Sequence, residues 1–169
     1  MKPRAMLAIV TVTAAALAGC AGAPPPAPAV VPSPGRVLVF RLRPGQDLAR
    51  EIQRVARDEA IEAGVVLTCV GSLKRTALRL ANQPAATELD GFREIVSLTG
   101  LVTKDGAHLH LAASDAAGAT IGGHLLDGSL VYTTAEIAIL DVAAVRFTRE
   151  PDPREQGGSG YHELVVRPR

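Results

Sequence analysis

The sequence predicts an α+β fold in which a mostly antiparallel sheet packs against one main helix. Two observations lead to this prediction. Only one stretch has the apolar spacing of an amphipathic helix, and most of the remaining chain consists of short apolar stretches separated by turn residues. The 169 residues, 47% of them hydrophobic, are enough for one domain around a sizeable core. This composition excludes general disorder.

The start of the chain resembles a bacterial lipoprotein signal. Lys2 and Arg4 precede an uncharged apolar run at residues 6–18, which is shorter than the roughly 20 residues that span a membrane. The run ends in Leu17-Ala18-Gly19-Cys20. We therefore expect residues 1–19 to be a signal peptide and Cys20 to be lipidated, for example with palmitate. The alternative is an ordinary signal peptide with a coincidental cysteine.

A spacer and one domain follow the predicted signal. The stretch AGAPPPAPAVVPSPG at residues 21–35 is too rich in proline for a helix or a central strand, so residues 20–35 are expected to link the anchor to a domain at 36–169. A lipid on Cys20 would place the protein in the cell envelope, anchored to a membrane. Ala21 after the cysteine favours the outer membrane, facing the periplasm, if the cell is Gram-negative.

The predicted helix lies near the start of the domain. Residues 36–43 alternate in polarity and predict a strand, which the turn residues Pro44-Gly45 end. Residues 46–63 predict the helix, with Asp47 at its start and one apolar stripe. Gly64 is expected to stop it.

The remaining elements are all predicted strands, with a polar loop through Gly91, a turn at residues 104–106 and a Pro/Gly-rich loop at 151–160. They cover residues 65–73, 76–81, 94–103, 107–114, 119–126, 130–142, 145–149 and 163–166.

Three of the four histidines fall in the segment HLHLAASDAAGATIGGH. Side chains alternate along a strand, so His108 and His110 share one face. Residues 115–118 suit a type I turn with Gly118 in the left-handed position of a three-residue hairpin. That turn pairs Asp115 with residue 119, and the same register pairs His110 with His124.

Three neutral imidazoles on one face predict a zinc site with an open fourth position at His108, His110 and His124. Three solvated strand histidines are the alternative. His162 lies beyond a loop and is a weaker candidate ligand. Glu136 could orient a ligand from a neighbouring strand, although a solvated carboxylate is the simpler interpretation.

The second cysteine, Cys69, lies in the apolar run at residues 65–70 and predicts a buried, inert thiol. A catalytic nucleophile would need a partner base, which the sequence does not identify. With Cys20 lipidated, no disulfide within the chain is available.

At these residues the chain resembles the PPC domain, also called DUF296. The segments that carry the resemblance are HLHLAASDAAGATIGGHL, VYTTAEIAI, Gly71-Ser72-Leu73, residues 94–100 and residues 149–164, within a range of 36–167. The resemblance implies an antiparallel sheet with one main helix, usually in a homotrimer. It also implies that the histidines at 108, 110 and 124 can hold zinc. The fold is similar, in addition, to acetolactate decarboxylase, a zinc enzyme that uses three histidines.

Three classes of function follow. The preferred one is an envelope-anchored, zinc-binding module of unknown ligand. The second is a zinc-dependent enzyme acting on a small carbonyl or carboxylate compound, with Glu136 as the only acid–base candidate. The third is DNA binding or protein interaction, as in plant PPC proteins. A formal net charge of +1, no Trp, no Arg-Gly-Arg-Pro sequence and an export signal argue against nucleic acid.

Overall fold

The computed structural model describes residues 33–169 and confirms the predicted fold class. The expected signal peptide, Cys20 and most of the linker lie outside the described residues. The elements are β1 (Gly35–Leu42), α1 (Leu48–Asp58), β2 (Gly64–Arg79), β3 (Thr87–Thr103), β4 (Gly106–Ser114), β5 (Thr120–Leu125), β6 (Leu130–Val142), β7 (Val145–Pro151), a short 3-10 helix (Arg154–Gln156) and β8 (His162–Pro168). Within the described part of the chain, no helix has the length and apolar character needed to cross a membrane.

Six antiparallel strands form the main sheet, in the order β1-β6-β2-β3-β4-β5. The carboxyl end of β2 also pairs with β5, through Leu78↔Leu125 and Arg79↔His124. Strands β2 to β5 therefore form a closed ring. Strands β7 and β8 pair with each other as a separate hairpin.

Helix α1 covers one face of the sheet and buries Leu48, Ile52 and Ala56 completely. The side chain of Asp47 caps its first turn by accepting a hydrogen bond from the Arg50 backbone N–H at 3.1 Å. The helix packs against β3 and β6. Alternate apolar residues of β6 are buried as the sequence predicts: Val131, Ala135, Ile137 and Ile139.

The prediction for the end of the helix is wrong: α1 ends at Asp58 and not near residue 63. Ala60 takes a left-handed conformation with φ of 51°, and the Ile61 N–H donates back to the Ala56 carbonyl at 2.9 Å. The chain turns here because Ile61 is buried in the core. Gly64 begins β2 instead, where a Cβ would lie 2.7 Å from a methyl group of Val102.

The strand boundaries around β2 and β3 also differ from the prediction. The two strands expected at 65–73 and 76–81 are one strand, β2, with an irregularity between Leu73 and Arg75. Strand β3 begins at Thr87, inside the expected polar loop, because its polar residues pair with β2. A salt bridge between Arg75 and Glu88 also links the two strands. The last two strands are also longer than predicted, since β7 reaches Pro151 and β8 begins at His162.

Gly100 brings β3 unusually close to the histidine-bearing strand β4. It pairs with Leu109 and has a φ of +142°, a conformation that favours glycine. A Cβ at this position would lie 2.0 Å from the carbonyl oxygen of His108. The β3–β4 pairing next to His108 therefore requires a residue without a side chain.

We predict that Gly100→Ala destabilises the domain by about 2 kcal/mol or more, because strain and a backbone clash act together. Gly106→Ala is the matched control, since a Cβ there meets nothing within 4 Å and the backbone has no positive φ. Urea unfolding of both variants measures the difference. Equal free energies of unfolding for the two variants would contradict the proposed constraint.

Candidate metal centre

The hairpin of β4 and β5 has the register that the sequence predicts. The Asp115 N–H donates to the Ala119 carbonyl at 3.0 Å, and the Gly118 N–H donates to the Asp115 carbonyl at 2.9 Å. The Asp115 carboxylate also accepts from the N–H groups of Ala117 and Ala119, each at 3.0 Å. Gly118 has a φ of +80°, as the three-residue loop requires. These contacts fix the pairing of Ser114 with Thr120.

The same register places His110 directly opposite His124. His108 lies two residues before His110 and therefore on the same face of β4, whereas Leu109 and Leu111 point into the core. Leu125 is buried as well, opposite Leu78 of β2. The imidazole ring of His108 has its centroid 5.1 Å from each of the other two, and those two are 5.7 Å apart.

The ring nitrogens are spaced as metal ligands are. One nitrogen from each of the three histidines lies within 4.8 Å of the others. The Nε2 atoms of His108 and His110 are 3.2 Å apart. Two nitrogens of a tetrahedral zinc site with bonds of about 2.0–2.1 Å lie about 3.4 Å apart, so this pair needs only a small movement.

His124 supplies a second sign that the cluster fits an ion. Its Nδ1 atom is shielded from solvent and has no hydrogen-bond partner among residues 33–169. A buried polar atom of this kind is costly unless a further group satisfies it. When one ring nitrogen binds a metal ion, the other nitrogen carries the proton and acts as a hydrogen-bond donor.

The electrostatic environment keeps two of the rings neutral, which is the form that binds a metal. Burial lowers the pKa of His124 from its usual 6.5, and the positive charge of Arg79 lowers it further. Burial also lowers the pKa of His108, with Arg149 as the second cause. Both imidazoles are therefore neutral at pH 7 without a metal.

An open cleft of about 900 Å³ adjoins the cluster. His108 and His124 form part of its wall, and β2 contributes Arg79. The β7–β8 hairpin forms much of the other side, with Arg149 and Glu163 among its residues. Sequence reasoning missed these two residues and Arg79 as parts of the site. Only the backbone pairing of Arg79 with His124 and the fold of the hairpin bring them to it.

The other sequence candidates lie in different places. His162 lines the cleft but does not belong to the three-histidine cluster. Glu136 is exposed in the middle of β6, paired with Arg41 and Val70, and is not among the residues that line the cleft. Cys69 is buried as predicted, and burial raises the pKa of its thiol to about 12, so it stays protonated.

Sequence comparison finds similarity to two kinds of protein. A family model described as the Plants and Prokaryotes Conserved (PCC) domain matches residues 30–143, which ends before β7. The chain is also 47% identical over 137 residues to the bifunctional protein GlmU of Synechococcus sp. strain JA-2-3B'a(2-13). The match covers 80% of this chain but 21% of that protein, so the chain spans about a fifth of the length of this curated relative.

Two solved structures cover nearly the whole domain. A hypothetical protein from Salmonella enterica has a TM-score of 0.78 at 38% identity, over 82% of this chain and 98% of that one. A metal-containing protein from Archaeoglobus fulgidus has a TM-score of 0.68 at 25% identity, over 81% of this chain and 99% of that one.

Proposed function

We propose that this chain, which belongs to the Plants and Prokaryotes Conserved (PCC, or PPC) domain family, is a zinc-binding protein. We also propose that a lipid anchors it in the cell envelope. One observation carries the proposal of metal binding. The rings of His108, His110 and His124 converge on one face of one hairpin, with a ligand atom from each within 4.8 Å of the others. The similarity to a protein described as metal-containing supports it.

Zinc is the ion proposed because of the chemistry of the ligands. Three neutral imidazoles suit zinc, which accepts nitrogen ligands in a tetrahedral arrangement and needs no redox chemistry from the protein. His108, His110 and His124 would hold it. An ion bound by three protein ligands keeps one position for a further ligand and can polarise an oxygen atom there.

A second candidate function is a zinc-dependent enzyme acting on a small carbonyl or carboxylate compound. The cleft of about 900 Å³ beside the histidines favours it, because such a volume accommodates a small organic molecule. Glu163 lines this cleft and Glu136 does not, so Glu163 is the proposed general acid or base of this second candidate function.

Anchoring is proposed through a lipid on Cys20. The order of charged residues, apolar run and Leu17-Ala18-Gly19-Cys20 supports cleavage after residue 19 and lipidation of the cysteine. Residues 20–35 would then separate the domain, proposed to occupy 36–169, from the membrane surface. In a Gram-negative cell the proposed location is the outer membrane, facing the periplasm.

We also propose a homotrimer. Exposed apolar side chains are concentrated on four adjacent strands of the main sheet, where Val39 is 77% and Val70 is 61% exposed. Phe92 and Tyr132 stack there with ring centroids 4.2 Å apart. A monomer that exposes so many apolar groups on neighbouring strands gains from symmetric association.

We predict that the metal-free protein binds one zinc ion per chain, and that His124→Ala lowers the affinity more than about 100-fold. The variant loses a direct ligand, whereas the control, His162→Ala, removes a histidine that lies in the cleft but outside the cluster. Calorimetric titration measures both. Protons compete with the ion for the imidazoles, and the pKa values of His108 and His124 are lowered from 6.5. Binding should therefore weaken as the pH falls below 6.5. Equal affinity of wild type and His124→Ala would refute the site.

We predict that Cys20→Ser releases the protein from membranes, because the lipid attachment atom is lost. Labelled palmitate and membrane fractionation in bacteria provide the measurement, with Cys69→Ser as the control for a cysteine buried in the domain. Wild-type protein without incorporated palmitate would contradict the lipid anchor.

Light scattering on residues 36–169 should give three times the monomer mass at micromolar concentration. Val39→Glu should shift the mass towards the monomer, because it places a charge on the exposed apolar strands. Val166→Glu, on the separate hairpin, is the matched control and should remain trimeric. A wild-type monomer over the whole concentration range would contradict the assembly.

A further inference from the structure

Two arginines converge on the histidine cluster from different sheets. The Nη2 atom of Arg149, on β7, lies 3.1 Å from Nδ1 of His108. Arg79, on β2, pairs with His124, so their side chains share a face of the sheet. Both arginines line the cleft.

Neither arginine forms a salt bridge with a carboxylate of the described residues. Among residues 33–169, no carboxylate lies within salt-bridge distance of Arg79 or Arg149. Arg167, on the same hairpin as Arg149, differs because its guanidinium contacts both oxygens of Glu150 at 2.8 Å. The two cleft arginines therefore retain hydrogen-bond donors for a ligand.

The charges around the cleft make anion binding depend on the metal. Two acids also line it, Asp105 and Glu163, and the Glu163 carboxylate accepts a hydrogen bond from the Ser159 hydroxyl at 2.7 Å. The two acids balance the two arginines. A divalent ion at the histidines would give the cleft a net positive charge.

The contact between Arg149 and His108 also makes anion binding depend on the metal. A guanidinium only donates, so Nδ1 of His108 must accept in this contact, and the proton of the neutral ring lies on Nε2. Nε2 is the atom that faces His110 at 3.2 Å. If Nε2 binds an ion, the proton moves to Nδ1, and Arg149 loses its acceptor. The Nη2 donor that contacts His108 then also becomes available to a ligand in the cleft.

We propose that Arg149, assisted by Arg79, is the oxyanion-binding residue of the cleft, and that the natural ligand is a small molecule with a carboxylate or phosphate group. The inference rests on the proposed metal function, because the ion releases Arg149 and supplies the net positive charge. The planar fork of a guanidinium matches the oxygens of both groups. Arg149 lies on the terminal β7–β8 hairpin, beyond the range 30–143 that matches the family model.

The test uses Co²⁺-loaded protein titrated separately with acetate and with inorganic phosphate, followed by the visible absorption of the bound Co²⁺. Saturable spectral changes are expected, and the anion that binds more tightly identifies the oxyanion preferred. Arg149→Gln should weaken binding about tenfold or more, because charged hydrogen bonds are lost. The anion affinity of Arg149→Lys, which keeps the charge but lacks the planar fork, should lie between the affinities of wild type and Arg149→Gln. Arg146→Gln, on the same strand but outside the cleft, is the control and should bind within about twofold of wild type.

The outcomes separate this inference from the metal proposal. If Co²⁺ binds fully and Arg149→Gln binds both anions as wild type does, the anion inference is wrong and the metal site stands. If Co²⁺ is not retained, the metal proposal is wrong, and the anion inference, which rests on the ion, is overturned with it.

Discussion

The register of the β4–β5 hairpin is the constraint on which the candidate site depends. A shift of one residue would turn His124 to the face opposite His108 and His110 and would expose Leu125, which is buried. The turn at residues 115–118 prevents this through the two contacts of the Asp115 carboxylate and the left-handed Gly118. The burial of Leu109 and Leu111 opposes the shift as well. A local turn and core packing thus specify the same arrangement of three imidazoles.

Neighbouring strands support the β4–β5 hairpin and form the cleft beside its histidines. Gly100 lets β3 lie close against His108, and the pairing of β2 with β5 closes the ring of strands behind His124. The separate β7–β8 hairpin then forms one wall of the cleft and brings Arg149 to His108. The family model ends before this hairpin. The histidines therefore lie within the matched region, and much of the wall that would select a ligand lies outside it.

The histidine hairpin could be predicted from the sequence because its determinants are local. The alternation of HLHL fixes the faces, and Asp115 and Gly118 fix the turn, so the pairing of His110 with His124 follows by counting. The strand β6 was predictable for a similar reason, since alternate burial repeats along its length. The end of α1 was not, because it depends on the burial of Ile61 and the left-handed Ala60 that permits it. Arg79 and Arg149 were also beyond sequence reasoning, since Arg149 lies 41 positions from His108 and only tertiary structure joins them.

X-ray diffraction from zinc-soaked crystals, with data collected on both sides of the zinc absorption edge, would show whether His108, His110 and His124 together hold a metal ion. We expect one anomalous peak per chain, within about 2.0–2.1 Å of one nitrogen from each of these three rings. An electron-density map in which His124 points away from His110, or a zinc peak at other residues with none at this cluster, would contradict this expectation.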